Sequence, residues 1–584
     1  MKRSRNEMGD RGKKDVQAEA PKATSGGLSK GVSSRRRLWL FRLLSASFPF
    51  VLLLLVEIAF RVIPGLSVDR DPYVNISPVS AFSRTTDAAG HEYYNVTHQN
   101  IPNRSDVHIL VKKPANTIRI FCLGSSACAG WPHPAGQTFS AYLQQALQTA
   151  YPGKQIEVAN LAAHGFAAYR VRAILEEALK MEPDAVIVWT GNNEFLEDRN
   201  YAPPIAGLAF LARHLRTVQW LHSILVSRNN MSGKDLKDIA QSFWRKIHQQ
   251  SLRLRADPVQ FAQVQHHYRD SIERMISQSQ HYRVPIVLCT VPVNLRDWLP
   301  TVSTNRLRGE RLEQWQTLYN QARRCLIQSN YQAGIQAMNQ AIAMEGEHAE
   351  SYFWLGRLLE ADGQKTVAWQ AYSEARDKDY NPFRALSSFN DAIRGLARAN
   401  QDHGVYLLDL DRIFAGASKS AAPGFDLFLD YVHPTKPANL LVATSAFDLM
   451  ARDSILKDKP AVDQFTYHDL PAELNGKPYR DEDDMTLQGT ALMMAAENHQ
   501  IETVIRQTET LVELMTGQHI TRPGDLVLTN NLSPEIVERY HIFSKYLDVQ
   551  RRTIMNLPVG QMELQEAERR VDDYYMKWFP LGRY

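Results

Sequence analysis

Cysteine is scarce in this sequence. Cys122, Cys128, Cys289 and Cys325 are the whole complement of 584 residues. They stand far apart, in no metal-ligand spacing, and are too few for a disulfide scaffold, so they read as small core residues. Excess charge is also missing: 67 Lys and Arg against 63 Asp and Glu leave a formal charge of +4. With no basic helix and no zinc-finger cysteine pattern, nothing points to nucleic acid as a partner, and neither a metal nor a cofactor is expected. The remaining composition is that of a globular protein. At about 100–200 residues per domain, the length implies several domains or one domain with large insertions.

What is present begins with a polar, basic stretch over residues 1–37 that ends in Arg35-Arg36-Arg37 and lacks the apolar content to form a core. An apolar run follows, from Leu43 to Phe60 within a candidate membrane helix at 38–61. As a helix it is about 27 Å long, close to a hydrocarbon core of about 30 Å. The cationic flank precedes it, which predicts a cytoplasmic N-terminus and places residues 62–584 outside the membrane. A cleaved signal peptide and a twin-arginine export signal at Ser34–Leu38 are the alternatives, although no small-x-small cleavage site follows the run. All three put the bulk of the chain beyond the membrane.

From residue 117 onward short apolar runs alternate with helical patterns. Strands are predicted at Thr117–Leu123, Ile156–Leu161, Ala185–Thr190, Pro285–Thr290 and Val405–Leu410, each short and mainly apolar, as suits a strand buried on both faces. Helices are predicted at 137–150, 168–182, 261–280, 387–400 and 437–451. This alternation predicts an α/β fold with a parallel sheet covered by helices and a site at the carboxyl ends of the strands. Polar or glycine-containing clusters fall there. Gly124-Ser125-Ser126 follows the first strand, Asn160 to Gly165 the second, Gly191-Asn192-Asn193-Glu194 the third, and Asp430-Tyr431-Val432-His433 precedes the last helix.

A serine hydroxyl needs a base to become a nucleophile. Ser126 is the candidate nucleophile, His433 the base, and Asp430 the carboxylate that would orient the imidazole. The oxyanion of a tetrahedral intermediate needs preorganised donors, and the backbone N–H groups of Ser126 and Gly165 with the Asn193 amide are the candidates. Singly, each residue reads as a turn, cap or loop residue; four clusters on successive strand ends read as one site.

The four clusters, in this order, resemble the four blocks of the SGNH/GDSL hydrolase superfamily. Ser125 stands where the family's first block has aspartate, Glu194 stands where its third block ends in aspartate, and Asp430-x-x-His433 matches its last block fully. The resemblance implies a flavodoxin-like three-layer α/β/α fold and ester hydrolysis without a metal.

Between the fourth and fifth strands, 349–379 reads as a tetratricopeptide repeat, with Tyr352, Leu355, Gly356, Leu359, Ala368, Tyr372 and Ala375 at the expected offsets and a weaker copy at 315–348. The expected organisation is a basic tail (1–37), a membrane helix (38–61), a linker (62–116), and a hydrolase first part (117–310) with a helical insertion at 200–260. A tetratricopeptide-like insertion (311–380), a hydrolase second part (381–455) and a helical C-terminal region (456–584) follow. The expected activity is a membrane-anchored, extracytoplasmic serine esterase that deacylates envelope glycan or lipid esters, with a protein partner possible at the repeats. The alternatives are an acyltransferase using the same triad and a non-catalytic envelope scaffold with a relic hydrolase fold.

Overall fold

A computed structural model describes residues 81–96, 107–197, 199, 247–461, 501–516 and 534–578, with parts of 39–59 and 491–500. The chain divides into two units, Met1–Pro72 with Pro203–Leu225, and Tyr73–Ala202 with Val226–Tyr584. In the first, residues 51–59 are helical and the side chains of Leu52 to Leu55 are exposed. Much of the predicted membrane helix at 38–61, and nearly all of the insertion up to residue 246, lie outside the described residues. Among the described residues no helix is long and apolar enough to cross a membrane.

The second unit opens with three strands, β1 (Phe82–Thr86), β2 (Glu92–Val96) and β3 (His108–Leu110), paired antiparallel in that order. The sequence reading had only a linker here. β1 shows why: one of its five residues is buried and the rest are polar and exposed, so no apolar periodicity marks it.

The main sheet holds β4 (Thr117–Gly124), β5 (Gln155–Asn160), β6 (Ala185–Trp189), β7 (Ile286–Cys289) and β8 (Val405–Leu408). All pairs are parallel, in the order β5-β4-β6-β7-β8. This is the 2-1-3-4-5 order of a flavodoxin-like doubly wound sheet, whose switch point lies beside β4. Every residue of β4 is buried, as a central strand between two helical layers requires.

The helices, in chain order, are α1 (Ser126–Ala129), α2 (Phe139–Ala150), α3 (Ala168–Ala178), α4 (Pro258–Tyr282), α5 (Glu310–Ile327), α6 (Tyr331–Met344), α7 (Ala349–Ala361), α8 (Lys365–Asp377), α9 (Ser387–Ala399), α10 (Leu410–Ala417), α11 (Lys436–Arg452), α12 (Ile501–Thr516), α13 (Pro534–Ile554) and α14 (Gln561–Trp578). α2 packs with α11, while α4 packs against both α3 and α9; these are the two layers over the sheet. α5 to α8 form two successive helical hairpins between β7 and α9. α12 and α13 pack together, and α13 also reaches α5.

Candidate active site

The turn that holds Ser126 is set by close packing at the end of β4. A Cβ on Gly124 would stand 2.0 Å from the Trp189 carbonyl oxygen and 2.6 Å from Cys128 Cβ. Only glycine lets β4 and β6 pair this tightly at their carboxyl ends. The chain then turns through Ser125, which is 1% exposed, to Ser126, which is half-buried in the first turn of α1.

Asp430 and His433 lie on a loop that the chain braces itself. Phe428 bridges to Pro434, the Leu429 N–H donates to the His433 carbonyl at 2.8 Å, and the Thr435 side chain caps α11. One Asp430 oxygen, Oδ1, accepts the backbone N–H groups of Val432 (2.8 Å) and His433 (2.9 Å). The other, Oδ2, lies 2.6 Å from His433 Nδ1, and His433 Nε2 lies 2.8 Å from Ser126 Oγ. The carboxylate accepts from Nδ1–H, which leaves the Nε2 lone pair facing the serine O–H. Asp430 and His433 are 1% and 2% exposed, so this relay is shielded from bulk water. The edge of the imidazole meets Trp131, with ring centroids 4.6 Å apart.

The three residues form one hydrogen-bonded chain although 307 positions separate Ser126 from His433. Such an array can take a proton from the serine as it attacks a carbonyl and return it to a leaving group.

The candidate oxyanion donors lie on loops tied to the Ser126 turn and to each other. Gly165 has φ of +73°, a left-handed conformation that favours glycine. Its loop is fastened to the nucleophile turn by the Ala163 N–H, which donates to the Gly124 carbonyl at 3.1 Å. The Asn193 amide donates to the Phe166 carbonyl at 3.2 Å, which joins the Asn193 loop to the Gly165 loop. Ser126 contributes a first-turn N–H, which no carbonyl of its own helix can satisfy. Glu194 supports this side from below: it accepts the Ala168 N–H at 2.8 Å and pairs with buried Arg199 at 2.7 Å.

Several residues support the array through contacts that the sequence reading did not assign. Asn160 Nδ2 donates to the Cys128 carbonyl and to Ser140 Oγ, both at 2.9 Å, and its oxygen accepts the Ala162 N–H. It thereby locks α1, α2 and the Gly165 loop together. Asn294 Nδ2 donates to the Asp430 carbonyl at 2.9 Å. His133 Nε2 donates to the Pro434 carbonyl at 2.7 Å, and burial holds its imidazole well below the usual histidine value, at about 4.

Arg384 is buried and donates to the carbonyls of Asn294 and Trp298, facing Asp379 at 3.7 Å. Burial lowers its guanidinium to about 10 and raises the Asp379 carboxyl. Arg296 is held by Glu360 and Asp297. His164 touches Trp131 edge-on, with centroids 5.8 Å apart. All four cysteines are buried free thiols, and burial pushes the Cys289 thiol up. Among the described residues no group of three or more His, Cys, Asp or Glu side chains is placed to hold a metal ion.

Compared with known proteins, the chain matches no family model and no curated protein. Solved structures do resemble it. A GDSL-like lipase from Bacteroides thetaiotaomicron shares 11% identity over 58% of this chain and 87% of its own, with a TM-score of 0.24. An acetylxylan esterase from Geobacillus stearothermophilus shares 12% identity over 57% and 93%, with a TM-score of 0.27. An alpha/beta hydrolase from the metagenome of Lake Arreo shares 12% identity over 60% and 99%, with a TM-score of 0.26. The functional reading rests on the geometry around Ser126, not on these similarities.

Proposed function

We propose that this protein is a serine ester hydrolase of the SGNH/GDSL type, with Ser126 as nucleophile, His433 as general base and Asp430 as its orienting carboxylate. The observation that carries the reading is the continuous relay from Asp430 Oδ2 through the imidazole to Ser126 Oγ, with contacts of 2.6 and 2.8 Å. In the first step Ser126 Oγ bonds to the ester carbonyl carbon while its proton passes to His433 Nε2. The N–H groups of Ser126 and Gly165 and the Asn193 amide receive the oxyanion. Collapse breaks the bond to the alcohol oxygen, which takes the proton from His433. Water then attacks the acyl-serine by the same route and releases the carboxylic acid.

The substrate we propose is an acyl ester, acetyl among the candidates, on an envelope glycan or lipid. The apolar run within 38–61, preceded by Arg35-Arg36-Arg37, supports a tether that holds this site outside the membrane. The helical insertion, read as tetratricopeptide-like, is proposed as a partner surface.

A panel of acetyl, butyryl and longer acyl esters tests the activity with the full-length protein and Ser126→Ala. Hydrolysis of at least one ester, lost in the variant, is expected. A folded wild type that cleaves none of them overturns the hydrolase reading. Acyl transfer to an added sugar without net hydrolysis would make it a transferase.

A further inference from the structure

The Phe166–Ala167 peptide is gripped at both ends by the loop that carries Asn193. Its carbonyl accepts from the Asn193 amide at 3.2 Å, and its N–H donates to Glu197 Oε1 at 3.0 Å. In a trans peptide these two groups point in opposite directions, so the plane cannot turn without breaking at least one of the contacts.

α3 has no cap of its own. It starts at Ala168 with Ala167 as N-cap, and an alanine side chain cannot accept the N–H groups that open a helix. The Asn193 loop supplies the acceptors instead: Glu197 takes the Ala167 N–H, and Glu194 takes the Ala168 N–H at 2.8 Å. Two carboxylates are also favourable at the positive end of the helix. Glu197 is itself fixed. Its Oε2 accepts from the Tyr169 hydroxyl and from Arg170 Nε at 2.6 Å, and its side chain is 11% exposed. Burial, and after it the Glu197 charge, hold the Tyr169 phenol well above its usual value, so it stays protonated and donating.

This grip reaches the candidate oxyanion donors. Asn193 Nδ2 carries two hydrogens in the amide plane. With one spent on the Phe166 carbonyl, the direction of the other is fixed. Gly165 stands just before the gripped peptide, in its left-handed conformation, on the loop that Ala163 ties to the Ser126 turn. A tilt of the Phe166–Ala167 plane would therefore turn the Gly165 N–H and the Asn193 amide relative to each other. The hydrogen bonds of Glu197 go to residues 167, 169 and 170, so its effect on the reaction passes through this peptide. We propose that Glu197 is a positioning residue for ester hydrolysis: it locks the Phe166–Ala167 peptide so that the Gly165 N–H and the Asn193 amide converge on one oxyanion. This role rests on the hydrolase reading.

Full-length wild type, Glu197→Ala and Glu197→Gln test it. For each, kcat and KM are measured on the fastest ester of the acyl panel, with the Ki of an alkylboronic acid of matching chain length. The boronic acid adds reversibly to the serine oxygen, whose proton passes to the base, and leaves an anionic tetrahedral adduct that needs the oxyanion donors. In Glu197→Ala kcat should fall about 10–100-fold, KM should stay within a few-fold, and Ki should weaken about ten-fold or more. Ki does not depend on how much of the protein is folded, so a variant that is merely less stable leaves it unchanged. Glu197→Gln keeps an oxygen for the Ala167 N–H, so its kcat should return to within about five-fold of wild type. A folded Glu197→Ala that keeps kcat and Ki within about three-fold of wild type, or that loses kcat with Ki unchanged, would overturn the role of Glu197 and leave the hydrolase reading in place. A folded wild type that cleaves no ester of the panel would overturn both.

Discussion

Replacing Asp430 by asparagine separates the two tasks of that side chain. The backbone N–H groups of Val432 and His433 both donate to Oδ1, at 2.8 and 2.9 Å, so an asparagine keeps its oxygen at that end. Its NH2 group must then occupy the place of Oδ2, 2.6 Å from His433 Nδ1. An NH2 there donates to Nδ1, which forces the proton onto Nε2. That nitrogen then donates to Ser126 and can no longer accept its proton. The loop keeps its two backbone bonds, so folding changes little, while kcat should fall about 10,000-fold, or about 5.4 kcal/mol in activation free energy. Steady-state kinetics on a short-chain ester, with thermal unfolding as the control for folding, measure both quantities. Substrate contacts are unchanged, so KM should stay within a few-fold. A kcat within ten-fold of wild type in a folded variant would refute the claim that Asp430 sets the tautomer.

Three further outcomes are expected. Gly165→Ala adds a Cβ with nothing within 4 Å, so only the left-handed backbone resists it; urea unfolding should show a loss of about 1–2 kcal/mol. Gly124→Ala drives a Cβ to 2.0 Å from the Trp189 carbonyl, and the variant should lose more than about 4 kcal/mol or fail to accumulate as folded protein. Burial holds His133 at about 4, below the ordinary histidine value of about 6.5, so the unfolded chain takes up a proton first as the pH falls. The associated stability is present above about 6.5 and is lost progressively down to about 4. Between pH 7 and 5 this amounts to about 2 kcal/mol, and His133→Gln should lose less stability than wild type over that interval by about that amount.

The five sheet strands could be placed within two or three residues because burial on both faces favours apolar runs, as in Ile120 to Leu123. In the second helical hairpin Gly356 faces the Tyr372 ring, a small-against-large pair whose two members the sequence reading had singled out. β1 to β3 were not legible, since short strands with one buried residue each carry no such signal. The candidate nucleophile, base and carboxylate stood out only as a set on successive strand ends. Their supports did not stand out at all. Asn294 meets Asp430 across 136 positions and His133 meets Pro434 across 301, and one sequence holds no trace of such pairings. Asn160 could have been suspected, as a buried amide at a strand end, but its partners belong to two other helices.

A fluorophosphonate probe, which bonds only to an activated serine, tests the central claim most directly. Mass spectrometry of the labelled full-length protein should find a single adduct on the peptide that contains residue 126. Labelling should vanish in Ser126→Ala and slow by orders of magnitude in His433→Ala. A folded wild type that stays unlabelled, or an adduct that persists without the Ser126 hydroxyl, would contradict the account.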